Sequence, residues 1–485
     1  MLIVVSSFGC GGSELDSDAL REALLDHGQA LVQLDEGSLE GNFVVERSVT
    51  LRGSQTGTTK LLSSSGAVIR IENEMADVTL EDLEIDSSHV AILGHGVARL
   101  TLRNTTIRTQ SGVGAYLRSV GELIIEDGVF EGTLASDMLE GGSEVLPARD
   151  FPVVGLYLDQ VARADLRRID IHGYAGMPVI FHQSSVSWVD GSLTGNAGAN
   201  IVIEESQVNL ASVQVVGSVQ GTSETDIEPI GLVVSDGAKL TSSDLMVRDL
   251  GGFGLLQHHG QSSHSDLLIS GAKYAGVWVQ ASAPVGEGSS LAVSGQSVLE
   301  NNAGSGLVFL DSKGLDLRNV VIRDSVPLST FLQMDQTREV SDGIHLQAAT
   351  GAVDLSGVTL AGHNRVAVLL CGGMEQIVPD SITMTGVSIT KPDTESALGV
   401  FTQMGITPSE SWDLNSGVLE ENDGGMQPVN LQAGFIGTNG LIGTNGYVDD
   451  TGFVDDGGFL SRDGVLSEVG VVVQGGFGII GTNGF

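Results

Sequence analysis

From Val78 onward the chain returns repeatedly to one six-residue frame: an apolar residue, any residue, a turn former, two more residues, then an apolar residue. It reads Leu80-Glu-Asp82-Leu-Glu-Ile85, then Leu102-Arg-Asn104-Thr-Thr-Ile107, then Ile125-Glu-Asp127-Gly-Val-Phe130. The frame recurs at Leu166, Trp188, Leu210, Ser242, His264, Val293, Leu317, Leu355 and Met384. Successive starts are 22, 23, 41, 22, 22, 32, 22, 29, 24, 38 and 29 residues apart. A unit of about 22 residues, lengthened by insertions, is the mark of a solenoid, in which each repeat buries its apolar face only against its neighbours.

The third position of the frame is held by Asp82, Asn104, Asp127, Asp190, Asp244, Asp266, Gly295, Asn319, Gly357 and Gly386, with Arg168 and Ser212 as exceptions. Asp, Asn and Gly tolerate a left-handed backbone, so each frame is expected to be two short strands with a tight bend between them. About seven residues later comes Gly-apolar-x-apolar, as in Gly114-Ala-Tyr-Leu117, Gly155-Leu-Tyr-Leu158 and Gly276-Val-Trp-Val279, which reads as a third strand. Three short parallel strands per coil describe an all-β fold, a right-handed parallel β-helix of about 12–14 coils by this count. Length alone would suggest about three domains. The repeat replaces them with one solenoid over 15–403, a linker over 404–430 and a separate C-terminal segment over 431–485.

With 61 acidic against 23 basic residues, the net charge of −38 excludes nucleic-acid backbones and disfavours anionic membrane surfaces. Neutral polymers, basic ligands and metal cations remain. Apolar residues make up 41% of the chain, enough to build a core.

These motifs resemble the pectate-lyase-like family of right-handed parallel β-helix proteins. The resemblance covers roughly 15–403. It includes a helix from Ser17 to His27, with Ser17 as N-cap, Leu20, Ala23, Leu24 and Leu25 on one face, and Gly28 after its end. In that family such a helix plugs the open end of the core. Leu31-Val-Gln-Leu34, the Gly41-Asn42 turn and Val49-Thr-Leu-Arg-Gly53 are similar to the family's first coils. The architecture hosts lyases, hydrolases, esterases, epimerases and inert adhesins, so the likeness implies a fold and not an activity. The start, Met1-Leu-Ile-Val-Val-Ser-Ser-Phe-Gly-Cys10, resembles a bacterial lipoprotein signal without its basic segment. It implies lipidation at Cys10, a tether through residue 14, and an extracellular or outer-membrane-anchored location with membrane contact only through the lipid.

The three longest insertions, Glu131–Pro152, Gly217–Pro229 and Ser325–Asp342, all fall between the frame and the third strand. In enzymes that resemble this fold, such loops wall a substrate groove over that strand. By strand alternation its outward positions form two rows. One carries Tyr116, Tyr157, Trp278 and His345; the other carries Arg118, Asp159, His182, Glu204, Ser235, His258, Gln280, Gln347 and Cys371. Asp159, His182 and Glu204 occupy three consecutive coils and are the candidate catalytic set. At about 4.8 Å per coil the two carboxylates stand about 9.6 Å apart at the backbone. That is near the roughly 6.5–9.5 Å between carboxyls that activate water across a sugar ring. In an acidic protein, a solvated strip also shows such carboxylates by chance. Tyr116, Arg118, Tyr157, His258, Trp278, Gln280, His345 and Gln347 are the candidate ligand-binding set. Exposed aromatics would stack on sugars, although the aliphatic remainder of their row favours burial beneath the loops. Gly94-His95-Gly96 is an isolated likeness to a hydrolase motif and is read as chance. Cys371, His345 and His258 lack metal-ligand spacing.

After about Asn430 a strict hexapeptide takes over, from Phe435-Ile-Gly-Thr-Asn-Gly440 to Val471-Val-Val-Gln-Gly-Gly476. It is expected to be an accessory β segment. Asp449, Asp450, Asp455 and Asp456 recur at its period and could bind calcium, and Asp413-Leu-Asn415-Ser-Gly417 with Glu420 and Glu421 resembles a calcium loop one residue short, though exposed turn acids are the preferred reading of the four aspartates. No organic cofactor is implied. The sequence thus leads to a monomeric surface protein that binds a polysaccharide or surface glycan along one strand face. A polysaccharide hydrolase or lyase and an inert adhesive module are its alternatives.

Overall fold

The structure, a computed structural model, describes residues 2–5, 16–110, 112–133, 154–174, 176–217, 229–281, 289–332, 336–372, 377–390, 398–403, 405–407, 412–414, 419–421, 447–449 and 452–454. The chain divides into two units, Met1–Asn209 with Leu441–Ser467, and Leu210–Gly440 with Glu468–Phe485. Each unit is a stack of right-handed parallel β-helix coils.

In the first unit the frame sets the register. Leu80 pairs with Leu102 and Ile85 with Ile107; Leu102 then pairs with Ile125 and Ile107 with Phe130. The column continues through Leu166 to Trp188. In the second unit Ser242 pairs with His264, His264 with Val293, and Val293 with Leu317. Leu355 and Met384 follow. These columns are buried, and each fully buried aliphatic side chain contributes about 1.5–3 kcal/mol. The polar pair in this interior stack is self-satisfied on one side, with Ser242 Oγ 2.7 Å from His264 Nδ1.

The expected bend is present: Asp82, Asn104, Asp127, Arg168, Asp190 and Ser212 all have positive φ, as do Asp244, Asp266 and Asn319. Two further positive-φ corners were not legible in the frame. One follows the second strand, at Gly173 and Gly195 and at Asp249, Gly271, Asn301 and Asp324; the other follows the third strand, at Ser119, Gln160, Gln183 and Glu205 and at Asp236, His259 and Asp311. The first of these holds only Gly, Asp and Asn, the turn formers of the frame itself, whereas the second is mixed in residue type and carries no composition signal.

The glycine that opens the third strand has a steric cause. A Cβ on Gly114 would stand 2.4 Å from the Gly155 carbonyl oxygen, and one on Gly276 2.6 Å from that of Gly306. Adjacent coils approach too closely there for any side chain. The strand that follows differs from the frame strands in burial. Glu122–Glu126 alternates buried and half-buried positions, whereas Val154–Asp159 is buried at every position. Ala275–Gln280 in the second unit is also buried throughout. A strand covered on both faces reads as a continuous apolar run, which is why its outward row is largely aliphatic.

The helix spans Ser17–Leu25, and its ends differ from the expectation. Asp16 rather than Ser17 is the N-cap, its Oδ1 accepting from the Asp18 and Ala19 amides at 2.9 and 3.3 Å. Asp26 rather than Gly28 closes it, and Leu25 is 64% exposed. Buried Arg47 donates to the Leu24 and Ala23 carbonyls, both at 2.7 Å, and so satisfies two last-turn acceptors. Leu2–Val5, inside the segment read as signal and tether, pairs in parallel with Leu31–Leu34; Cys10 lies outside the described residues.

Pairing does not stop at residue 403. Leu398–Gln403 pairs in parallel with Leu419–Glu421, and Val387 bridges Leu414. The Asp413 carboxylate accepts from the Gly386 amide at 3.0 Å, and Trp412 Nε1 donates to the Ile382 carbonyl at 3.2 Å. Asp413 therefore ties down a coil corner; Asn415 to Gly417 of the candidate calcium loop lie outside the described residues. Of the C-terminal segment only Tyr447–Asp449 and Gly452–Val454 are described, as an antiparallel pair. Asp450, Asp455, Asp456 and the Asp449 side chain lie outside the described residues. Among the described residues no group of three or more His, Cys, Asp or Glu is placed to hold a metal, and no helix is long and apolar enough to cross a membrane.

Candidate functional site

In the first unit the third strands align Arg118 with Asp159, Asp159 with His182, and His182 with Glu204. One residue from each of four coils therefore forms a column. Asp159 is clamped: its Oδ2 lies 3.2 Å from Arg118 Nε and its Oδ1 lies 2.8 Å from His182 Nδ1. Both carboxylate oxygens are thus engaged, which assigns the proton on His182 to Nδ1. His182 Nε2 is buried with no hydrogen-bond partner among the described residues. Asp159, His182 and Glu204 are all buried, whereas the Arg118 side chain is 37% exposed. His95, one coil before Arg118 in the same column, is exposed and outside the clamp.

The electrostatics follow from this packing. Burial pulls the His182 pKa down, but the Asp159 hydrogen bond and the charges of Asp159 and Glu204 outweigh it, so the net shift is upward. Burial, helped by the Asp159 charge, pushes the Tyr116 hydroxyl up to about 12. Tyr157 is likewise raised well above its ordinary value, by burial first. The two rings meet edge to face at 5.0 Å between centroids and are buried. The edge of one ring covers a face that an open strip would offer a sugar, and both phenols stay protonated at neutral pH.

The second unit carries the other expected residues. Trp278 is buried against Phe253, with ring centroids 5.6 Å apart, and its Nε1 donates to Gln280 Oε1 at 3.2 Å. Burial and the neighbouring His259 push His258 down to about 4. His345 is fully buried and its Nδ1 lies 3.2 Å from Asp342 Oδ2. Arg365 Nε donates to Asp342 Oδ1 at 2.7 Å. Burial pushes the Asp342 pKa up, but Arg365 and His345 outweigh it and hold it below the usual carboxylate value. Gln347 is paired in register with Cys371, which is buried. Asp342 and Arg365 are absent from the candidate set read from sequence. Their signal is weak: each stands just before a third strand's apolar run, where charge is ordinary. The long insertion that begins at Ser325 supplies an antiparallel hairpin, Leu328–Leu332 on Gln336–Gln347, whose second strand runs directly into the Asp342–His345 segment.

No family model matches the sequence, and no curated protein matches it. Among solved structures the chain is similar to the A-module of the mannuronan C-5 epimerase AlgE6 of Azotobacter vinelandii, at 13% identity, covering 80% of this chain and 88% of that one, with a TM-score of 0.34. It is also similar to tailspike protein 3 of bacteriophage CBA120, at 12% identity over 92% of this chain and 65% of that one, TM-score 0.34. A third is the family 28 exopolygalacturonase of Yersinia enterocolitica, at 11% identity over 85% and 77%, TM-score 0.27. At these identities and scores the likenesses carry no assignment of activity.

Proposed function

We propose that the chain binds a neutral polysaccharide over the third strands of its first unit, and that His182 exchanges a proton with it. One observation carries this reading: His182 is held at Nδ1 by a carboxylate that is itself held by Arg118, and its Nε2 is buried without a partner. An orphaned buried nitrogen costs about 1–3 kcal/mol, which a sugar hydroxyl would offset. The upward shift of His182 suits a group that both takes and gives a proton near neutral pH. Asp159, with both oxygens engaged, suits a positioning role, and Glu204 in the next coil suits the second ionisable group. That division of labour favours His182 acting beside Glu204 over a hydrolase with two free carboxylates. The charge of −38 argues for a neutral chain over a uronate. Attachment through a lipid on Cys10 belongs to the same proposal, since a surface location brings the site to extracellular glycans.

The test is binding and turnover on a panel of neutral polysaccharides with wild type, His182→Gln, Asp159→Asn and Glu204→Gln. Turnover is expected to fall about 10²–10⁴-fold in His182→Gln, with binding little changed. Wild-type binding without turnover removes the proton-transfer role and leaves a binding module; absence of both sinks the proposal. Labelling with a palmitate analogue should mark wild type and not Cys10→Ala, and equal labelling removes the anchor.

A further inference from the structure

The second unit repeats the chemistry of the first with different residues. Asp342 is fully buried and bridges a guanidinium and an imidazole, Arg365 Nε at 2.7 Å from Oδ1 and His345 Nδ1 at 3.2 Å from Oδ2. His345 Nε2 is buried with no hydrogen-bond partner among the described residues. A buried histidine serving only as a strut usually finds partners for both nitrogens. Nearby His363 shows the difference, with Nδ1 3.0 Å from Ser325 Oγ and Nε2 3.1 Å from the Ile322 carbonyl. His264 also has a bare Nε2, but it lies in the interior column, between Ser242 and Val293, where no ligand enters. His345 lies on the outward row, in register with Val308 and Leu369. On the same outward face, Gln280 Nε2 is a second buried nitrogen without a partner among the described residues. Gln280 pairs with Leu310 and Leu310 with Gln347, so it stands two coils from the His345 strand, about 9.6 Å away along the stack. That is about the length of two pyranose rings.

We propose that the second unit holds its own carbohydrate site, in which His345 Nε2 and Gln280 Nε2 hydrogen-bond hydroxyls of one neutral oligosaccharide, with Asp342 and Arg365 fixing the His345 ring. The inference rests on the reading that the third-strand face engages carbohydrate, and it adds a second site remote in sequence from the first. The ligand is neutral because the buried Asp342 carboxylate behind His345 repels anions and its cationic partner, Arg365, is already paired with it. Asp342 takes the Nδ1 proton as acceptor, so Nε2 of the neutral ring accepts from a sugar O–H, while the Gln280 amide donates to a sugar oxygen.

The experiment is calorimetric titration of the full chain with neutral glucan, mannan and xylan hexasaccharides, using wild type, His182→Asn and His345→Asn. An asparagine keeps an N–H where Nδ1 stood, and so keeps the carboxylate partner, but removes Nε2. Two equivalents per chain are expected for wild type and one for each variant. One equivalent, lost only in His182→Asn, overturns the second site and leaves the first. One equivalent, lost only in His345→Asn, overturns the first and leaves the second. No binding overturns both. His345→Gln guards against misfolding, because its amide reaches the Nε2 position and lets go of Asp342. The second site predicts affinity within about tenfold of wild type in His345→Gln and a loss beyond about 100-fold in His345→Asn. A purely structural histidine predicts the reverse order in thermal stability and no change in affinity.

Discussion

The two units build one motif, a carboxylate clamped between an arginine and a histidine Nδ1, by different routes. In the first, Arg118, Asp159 and His182 come from three successive coils and stack as a column. In the second, Asp342 and His345 lie three residues apart on one strand and Arg365 comes from the next coil. Arg118 keeps 37% of its side chain exposed, whereas Arg365 keeps 15% and Asp342 none. The histidines also differ. His182 is shifted up by its acidic partners, while His258, His264 and His363 in the second unit are each pushed down to about 4 by burial. Carboxylate contact wins in one unit and desolvation in the other, so the two should answer acid with opposite sign.

That contrast gives the largest expected effect. A histidine near 4 when folded and near 6.5 when unfolded contributes fully above about pH 6.5, and its contribution is lost as pH falls toward 4. Each of the three is worth on the order of 3 kcal/mol by that linkage. His182, raised in the fold, contributes below its unfolded value and loses that contribution as pH rises through its folded value. Hydrogen exchange, corrected for intrinsic pH dependence, should therefore show Gln261–Ser265 opening before Ser185–Thr194 at pH 4.5. The opposite order would break the comparison.

Next in size is removal of the clamp. Asp342→Ala strands a buried arginine and histidine and should cost about 3–5 kcal/mol in chemical denaturation. Asp159→Ala should cost about 1–3 kcal/mol, since Arg118 can turn to water. Equal costs would mean that burial of the arginine does not decide the clamp's worth.

How much of this was legible beforehand can be judged from particular residues. Leu102, Ile125 and Leu166 fell in register as expected because apolar alternation and left-handed bends are local properties that repeat coil by coil. The second-row column of Arg118, Asp159, His182 and Glu204 was legible for the same reason. Arg365 was not, because its relevance depends on which residue of another coil lies diagonally across from it. The double burial of the third strand was only hinted at by the aliphatic remainder of the aromatic row.

Smaller effects sharpen the comparison further. Gly114→Ala should cost about 1–3 kcal/mol through overpacking against the Gly155 carbonyl, read as a lower melting temperature. No loss would mean that the coils can part there. The smallest effect is expected on the frame strands. Arg103 Nε lies 3.1 Å from Glu126 on an open face, and Arg103→Ala should change stability by less than about 1 kcal/mol. A larger loss would show that such cross-coil pairs act as a network.

The sequence by itself determined the coil, its bend and the order of side chains along each row, because backbone handedness and period-2 alternation are written in neighbouring residues. It did not determine that Asp16 would cap the helix in place of Ser17, that pairing would run on to Glu421, or that the candidate row would be buried. Those outcomes depend on which groups compete for the same amide, carbonyl or patch of surface, and only chain segments brought together in space settle that competition. The clamp on Asp342 joins residues 23 positions apart, and it exists because one register places them within a hydrogen bond of each other.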